Sequence, residues 1–519
     1  MSGLARAVRR AAVPAGLAAR RRWGWGLALG LALGVKAAAG GGTEEAAAPP
    51  RGFGAAIDAS RDLLRRIKVP GAGSARGGGI GGKLAEPGSG RISPCFHFFK
   101  GLGYADVENR VMCKPETVMR IASISKCLTM MAVAKLWEEG KLDLDAPVQK
   151  YVPEFPEKVY EGEKVTITTR LLVSHLSGIR HYEKDIAKVK EEKEKANRAL
   201  TKSGQDKEQK EKDGKGIEKT DSVKSKKEHD GETRSRNSKP GRRDKEFEHE
   251  EYYLKEKFES VIESLKIFKN DPLFFKPGSQ FLYSTYGFTL LSAVVERVSG
   301  QKFTDYMLKM FRDLDMLSTV LDDNEAMIYN RARCYVYNKK GRLVNAPYVD
   351  NSYKWAGGGF LSSVGDLLKF GNALLYSYQA GQFRSTNSEL LPGYLKPDTV
   401  AMMWTPVPKT EVSWDRDGKY AMAWAVVENK QQCGFCRRQR HYASHTGGAV
   451  GASSVLLILP EELDSETVRT ASVAPPRGVI VTIICNMQSV SLNSTALKIA
   501  REFDKEKRAQ YIDEKKRDE

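Results

Sequence analysis

At 519 residues the chain has room for one large catalytic domain with additions or for two to three ordinary domains, and its net charge of +18 invites a nucleic-acid reading. The distribution of that charge argues against it: Arg6, Arg9, Arg10, Arg20, Arg21, Arg22 and Lys36 give +7 before the first acidic residue, positions 183–246 hold 21 basic against 16 acidic residues, and the remainder carries only +6 without an aromatic-interleaved basic patch, so no nucleic-acid partner is expected. Seven scattered cysteines (Cys95, Cys113, Cys127, Cys334, Cys433, Cys436 and Cys485) argue against a disulfide framework, and Cys433-Gly-Phe-Cys436, beside Arg437 and Arg438, reads as a surface loop rather than a zinc or redox site.

Residues 1–43 are free of acid, rich in Arg and Ala, and close on a glycine run, the pattern of a mitochondrial targeting segment that stands outside the fold. The apolar run within it, Trp23 to Val35, falls short of the roughly 20 residues a membrane helix needs. It suits an intramitochondrial sorting signal, which admits the intermembrane space, or a secretory h-region, the less favoured reading. A linker at 44–56 leads to a helical pattern from Ile57 to Ile67 that Pro70-Gly71 ends. Gly71 to Gly90 offers no alternating apolar run. Ile92 to Phe99 reads as a strand, and Gly101 to Val111 as a turn and strand edge.

Arg120-Ile-Ala-Ser123-Ile-Ser125-Lys126 opens a helix that runs to Gly140, and Lys126 is the one charge between Ala122 and Ala134. A lysine in so apolar a run costs several kcal/mol of solvation unless it serves something. Residues three apart share a helix face, so Ser123 and Lys126 come within reach of one another, while Ser125 lies off that face and has no catalytic role. A serine hydroxyl attacks a carbonyl poorly until a base takes its proton, and a desolvated lysine can supply that base.

Thr168 to Ile179 reads as a short helix with His175 as a hydrogen-bonded core residue. Positions 183–250 form a charged insertion that, without an aromatic residue from 183 to 246, cannot bury enough surface to offset its chain entropy and is expected to be disordered. That insertion divides a first part at 57–182 from a second at 251–503. Tyr252 to Phe268 has a helical pattern, as does Phe288 to Val298, closed by Gly300. Ser362-Ser-Val-Gly-Asp366 is a helix-start signature ahead of Leu367 to Leu375. Tyr420 to Val427, Val450 to Leu459 and Val479 to Cys485 read as consecutive strands, Leu492 to Phe503 as a closing helix, and 504–519 as a charged tail. Helices first, antiparallel strands last and one helix returning make the fold class α+β.

Ser123-Ile-Ser-Lys126, Tyr283-Ser-Thr285 and His445-Thr446-Gly447, in this order, resemble the three motifs of the class C β-lactamase and penicillin-binding-protein family. Leu171 to Gly178, Pro277 to Ser284 and Gly358 to Asp366 are similar to its accessory phrases, and the resemblance covers about 57–503 less the insertion. It implies a β-lactamase/transpeptidase-like fold, an antiparallel sheet flanked by helices with a helical subdomain, and a first strand hairpin that Pro70 to Gly90 does not supply. It implies a serine hydrolase of peptidase or amidase type with no cofactor and no metal. Ser123 would be the nucleophile, Lys126 the base or proton relay, and Tyr283 the group that protonates the leaving amine. His445, Thr446, Gly447 and Thr285 would line the substrate, and the backbone N–H groups of Ser123 and Gly448 would form the oxyanion hole. Thr285 stands where the family carries asparagine, which implies weak or altered activity, or a scaffold that has lost most of it. The resemblance is nearest to the family's mitochondrial members in animals. From it follow a peptide or amide substrate, assembly into a homo-oligomer or filament, and an influence on lipid metabolism. The basic segments add membrane-surface contact to the expected partners.

Overall fold

The computed structural model describes residues 31–38, 54–66, 95–188, 191, 249–384, 391–415, 417–429, 440–462 and 476–518. Cys433 and Cys436 and nearly all of the charged insertion therefore lie outside the described residues. The site rests on a seven-stranded antiparallel sheet built from β1 (Leu31–Ala38), β2 (Cys95–Leu102), β3 (Lys419–Tyr420), β4 (Ala425–Val427), β5 (Tyr442–Ala449), β6 (Ala452–Pro460) and β7 (Gly478–Cys485), in the order β3-β4-β5-β6-β7-β1-β2.

Strands β6 and β7 are apolar at nearly every position because both sheet faces are covered. Val455, Leu457, Val481 and Ile483 point to the side closed by α1 (Gly54–Arg66) and the C-terminal helix, where Ile57, Leu64, Ile499 and Phe503 meet them. Leu456, Ile458, Ile480 and Ile484 face the larger core, with Leu367, Phe370 and Leu374 of a long helix at Val364–Arg384 and the whole of α2 (Ser125–Glu138) behind it. Each such side chain, fully buried, contributes about 1.5–3 kcal/mol. Ser363 Oγ accepts the Asp366 N–H at 3.2 Å and so starts the long helix at the expected signature. Gly140, at φ +69°, stands just past the end of α2, where only a residue tolerant of the left-handed region fits without cost.

Four expectations are corrected. The targeting segment does not stand wholly outside the fold: Leu31–Ala38 lies between β7 and β2, Leu31 opposite both Cys485 and Leu102, because two strands that would otherwise show unpaired edges both find their ladder partner in it. Tyr252 to Phe268 is not one helix. Two 3-10 turns, Glu250–Tyr253 and Glu263–Ile267, flank an irregular stretch whose backbone groups are taken from outside: the Asp350 N–H donates to the Leu254 carbonyl at 2.8 Å, and the Phe258 N–H to Ser352 Oγ at 2.8 Å. The late strands are not consecutive: Tyr442–Ala449, which carries His445, is a strand of its own between the first two, joined to β6 by a tight turn at Val450-Gly451. The closing helix also continues through the charged tail to Asp518.

Candidate active site

Ser123 sits in a single 3-10 turn, Ala122–Ile124, directly ahead of α2. The turn is wound tightly, with Ala122 at φ +48°, a conformation that costs a non-glycine residue about 1 kcal/mol or more and must be held by its surroundings. Two contacts hold it. The Ser454 hydroxyl donates to the Ile121 carbonyl at 2.7 Å, and Gly447 lies so close that a Cβ there would stand 2.4 Å from the Ile121 oxygen and 3.0 Å from the Ala122 Cβ. Lys126, the second residue of α2 and three positions on from Ser123, is fully buried. Its Nζ donates to the Gly357 carbonyl at 2.6 Å, lies 3.2 Å from Ser123 Oγ and 3.5 Å from Thr285 Oγ1, and sits 4.7 Å from the centre of the Tyr283 ring. The amine thus trades water for three oxygens and an aromatic face.

Tyr283 occupies the loop just before α3 (Thr285–Ser299), and two imidazoles from the segment around Thr169–Val173 pin that helix start. The Ser284 N–H donates to His175 Nδ1 at 3.1 Å and the Thr285 N–H to His181 Nδ1 at 3.2 Å, while Ser284 Oγ accepts the Gly287 N–H at 3.1 Å as the helix cap. His175 stands at φ +59° and packs against Tyr283 at a tilt of 43°, with ring centroids 4.3 Å apart. Burial, then the charges of Lys126, His445 and His181, hold its imidazole well below the ordinary histidine value, so the ring is neutral.

The third wall is β5. His445 is fully buried; its Nε2 is 3.0 Å from the Tyr420 hydroxyl and its Nδ1 2.8 Å from the Thr446 carbonyl. Its imidazole is thus buried between Tyr420 and its own strand. Thr446 is buried as well, whereas Gly448 is partly exposed and its carbonyl accepts the Tyr252 hydroxyl at 3.1 Å.

Ser123, Lys126, Thr285 and Tyr283 therefore form one contact cluster, with Gly447 packed under the Ser123 turn and His445 6.2 Å from Tyr283, ring centre to ring centre. Ser125 points elsewhere and accepts the Phe360 N–H at 3.3 Å. Sequence reasoning missed His181, Tyr420 and the Gly357 carbonyl. The last two could have been sought in the Tyr-Ala-Met-Ala-Trp and Gly-Gly-Gly phrases, but a backbone oxygen and a core tyrosine carry no sequence signal of their own. Among the described residues no group of three or more His, Cys, Asp or Glu side chains converges as a metal site, and no helix is long and apolar enough to cross a membrane.

This is the scaffold of a serine hydrolase, and comparison with known proteins agrees. The family model described as beta-lactamase matches residues 96–216 and 236–501. The Mus musculus protein named serine beta-lactamase-like protein LACTB, mitochondrial, is 65% identical over 475 residues, which span 90% of this chain and 84% of the mouse protein. The Homo sapiens protein of the same name is 66% identical over 465 residues, 89% of this chain and 82% of the human one. Among solved structures, EstCE1, described as a hydrolase with promiscuous acyltransferase activity, shares the fold with a TM-score of 0.51 at 16% identity, covering 78% of this chain and 90% of that one. The chain belongs to the beta-lactamase family.

Proposed function

We propose that the protein is a serine hydrolase that cleaves peptide or amide bonds through an acyl-enzyme. The observation that carries the reading is the buried Lys126 amine, 3.2 Å from Ser123 Oγ and 2.6 Å from the Gly357 carbonyl. A neutral amine has two N–H groups and one lone pair. Donating to Gly357 and Thr285, it keeps the lone pair for the Ser123 hydroxyl proton. Ser123 attacks the substrate carbonyl as that proton passes to Lys126. The oxyanion is held by the backbone N–H groups of Ser123 and Gly448, a contribution of about 3–4 kcal/mol. Tyr283, whose ring covers the amine, passes the proton to the leaving nitrogen, and water then releases the acyl group.

Thr285 favours a second reading, a weakly active or inactive scaffold, because its hydroxyl reaches Lys126 only at the 3.5 Å limit of a hydrogen bond. Location in mitochondria, including the intermembrane space, is proposed from the names of the relatives and the acid-free N-terminal segment. Self-assembly and an influence on lipid metabolism rest on family resemblance alone, and membrane-surface contact on the basic segments. Intact mass after exposure to a fluorophosphonate or a β-lactam separates the two catalytic readings. An adduct on the wild type and none on Ser123→Ala is expected, whereas a folded wild type that takes no adduct is the scaffold.

A further inference from the structure

We infer that His175, Tyr420 and His445 form a one-way hydrogen-bond relay that fixes the His445 imidazole with its proton on Nδ1, which makes His175 and Tyr420 positioning residues for the strand edge beside Ser123. The consequence for catalysis rests on the acyl-enzyme reading; the relay itself does not.

The direction follows from proton counting. A backbone N–H can only donate, so the 3.1 Å bond from Ser284 leaves His175 Nδ1 without a proton, and a neutral ring then carries its one proton on Nε2. That atom lies 3.2 Å from the Tyr420 oxygen and must donate to it. Tyr420 is fully buried, and burial holds its phenol well above the ordinary range, so it keeps its proton. A buried hydroxyl has to place that proton on an acceptor. Of the two rings it touches, His175 is already the donor, and His445 Nε2 at 3.0 Å is left. His445 therefore accepts on Nε2 and donates from Nδ1 to the Thr446 carbonyl at 2.8 Å. The reverse direction would ask both nitrogens of His175 to accept, which a neutral imidazole cannot do.

The last bond is where the relay meets the site. It ties down the carbonyl of the peptide joining Thr446 to Gly447, and Gly447 lies against the Ile121 oxygen and Ala122. With the other tautomer the Nδ1 lone pair would face that carbonyl, and repulsion would turn the peptide and shift the seat of the nucleophile turn. At the opposite end His175 backs the Tyr283 ring at 4.3 Å, so one chain of bonds steadies both the strand edge and the tyrosine.

The test is nitrogen NMR of the full-length protein carrying 15N-labelled histidine, with ring signals assigned through bonds so that the wild-type reading needs no variant. At neutral pH the expected result is His175 with its proton on Nε2 and His445 with its proton on Nδ1; His445 protonated on Nε2 instead would overturn the relay. Tyr420→Phe keeps the ring and removes the link. It is expected to shift His445 away from the Nδ1–H form and to slow fluorophosphonate acylation of Ser123 roughly ten-fold, the scale of a small displacement of reacting groups. An unchanged tautomer or an unchanged acylation rate in a folded Tyr420→Phe protein contradicts the positioning role. Failure of the wild type to acylate at all would count against the hydrolase reading, while the tautomer measurement would still decide the relay.

Discussion

Lys126 shows why a single residue can be read from sequence while its partners cannot. A charge in an apolar run announces a cost, and the structure offsets that cost with the Gly357 carbonyl and the Ser123 and Thr285 hydroxyls. The serine was legible because it lies three positions away on the same chain segment; the carbonyl, 231 positions distant, was not. His175 was legible as a core histidine and proved to be one, though its core is the back wall of the site. Its neutrality has a measurable consequence. As pH falls through the ordinary value of 6.5, the unfolded chain binds a proton that the buried ring in the folded protein refuses, so stability falls with it. His441, half-buried and held low by that burial, acts in the same sense, and Asp366, raised by burial, opposes them from the carboxylate side. Urea midpoints measured below 6.5 should decline toward acid, and His175→Gln should flatten that slope by about 1.4 kcal/mol per pH unit. A slope unchanged by the substitution would show that His175 is charged in the folded protein.

At the scale of elements, the site is a meeting of one helix start, one loop before a helix, and one strand edge. Ser123 was expected in the first turn of a helix and lies in the 3-10 turn just before it, a difference that comes from Gly447 and Ser454 gripping the Ile121 carbonyl region rather than from local propensity. Gly447→Ala tests that grip. Its Cβ would meet the Ile121 backbone oxygen at 2.4 Å, which cannot rotate away, so a loss of about 1–3 kcal/mol in chemical denaturation is expected together with slower acylation of Ser123. Full acylation rate in the alanine variant would mean the strand and the Ser123 turn move independently. The stretch from Tyr252 to Phe268 failed as a helix for a reason that periodicity cannot carry. Tyr252, Phe258, Val261, Leu265 and Phe268 are buried, but neighbouring segments supply backbone partners to the stretch, and the Tyr252 hydroxyl is held by Gly448.

Across the whole molecule, α+β organisation and the last two strands were legible because β6 and β7 are apolar on both faces, whereas Tyr420 to Val427 is two short strands rather than one and β5 stands between them and β6. The partner of β7 was not. Composition marked Leu31–Ala38 as a leader, yet the backbone pairing places it inside the sheet, second from one edge, between Gly478–Cys485 and Cys95–Leu102. A chain shortened to begin at Leu31 should therefore unfold at the same denaturant midpoint as the full chain, and one that begins at Glu45 should unfold earlier, having lost a ladder on each side. Equal midpoints for all three would show that the strand contributes nothing to the sheet. The central claim, that this sheet and its helices exist to hold Ser123 against Lys126, is met most directly by mapping a fluorophosphonate adduct to a residue by peptide mass spectrometry. The expected adduct lies on Ser123, with the buried Ser125 two positions away unmodified; an adduct on any other serine, or none on folded protein, would contradict it.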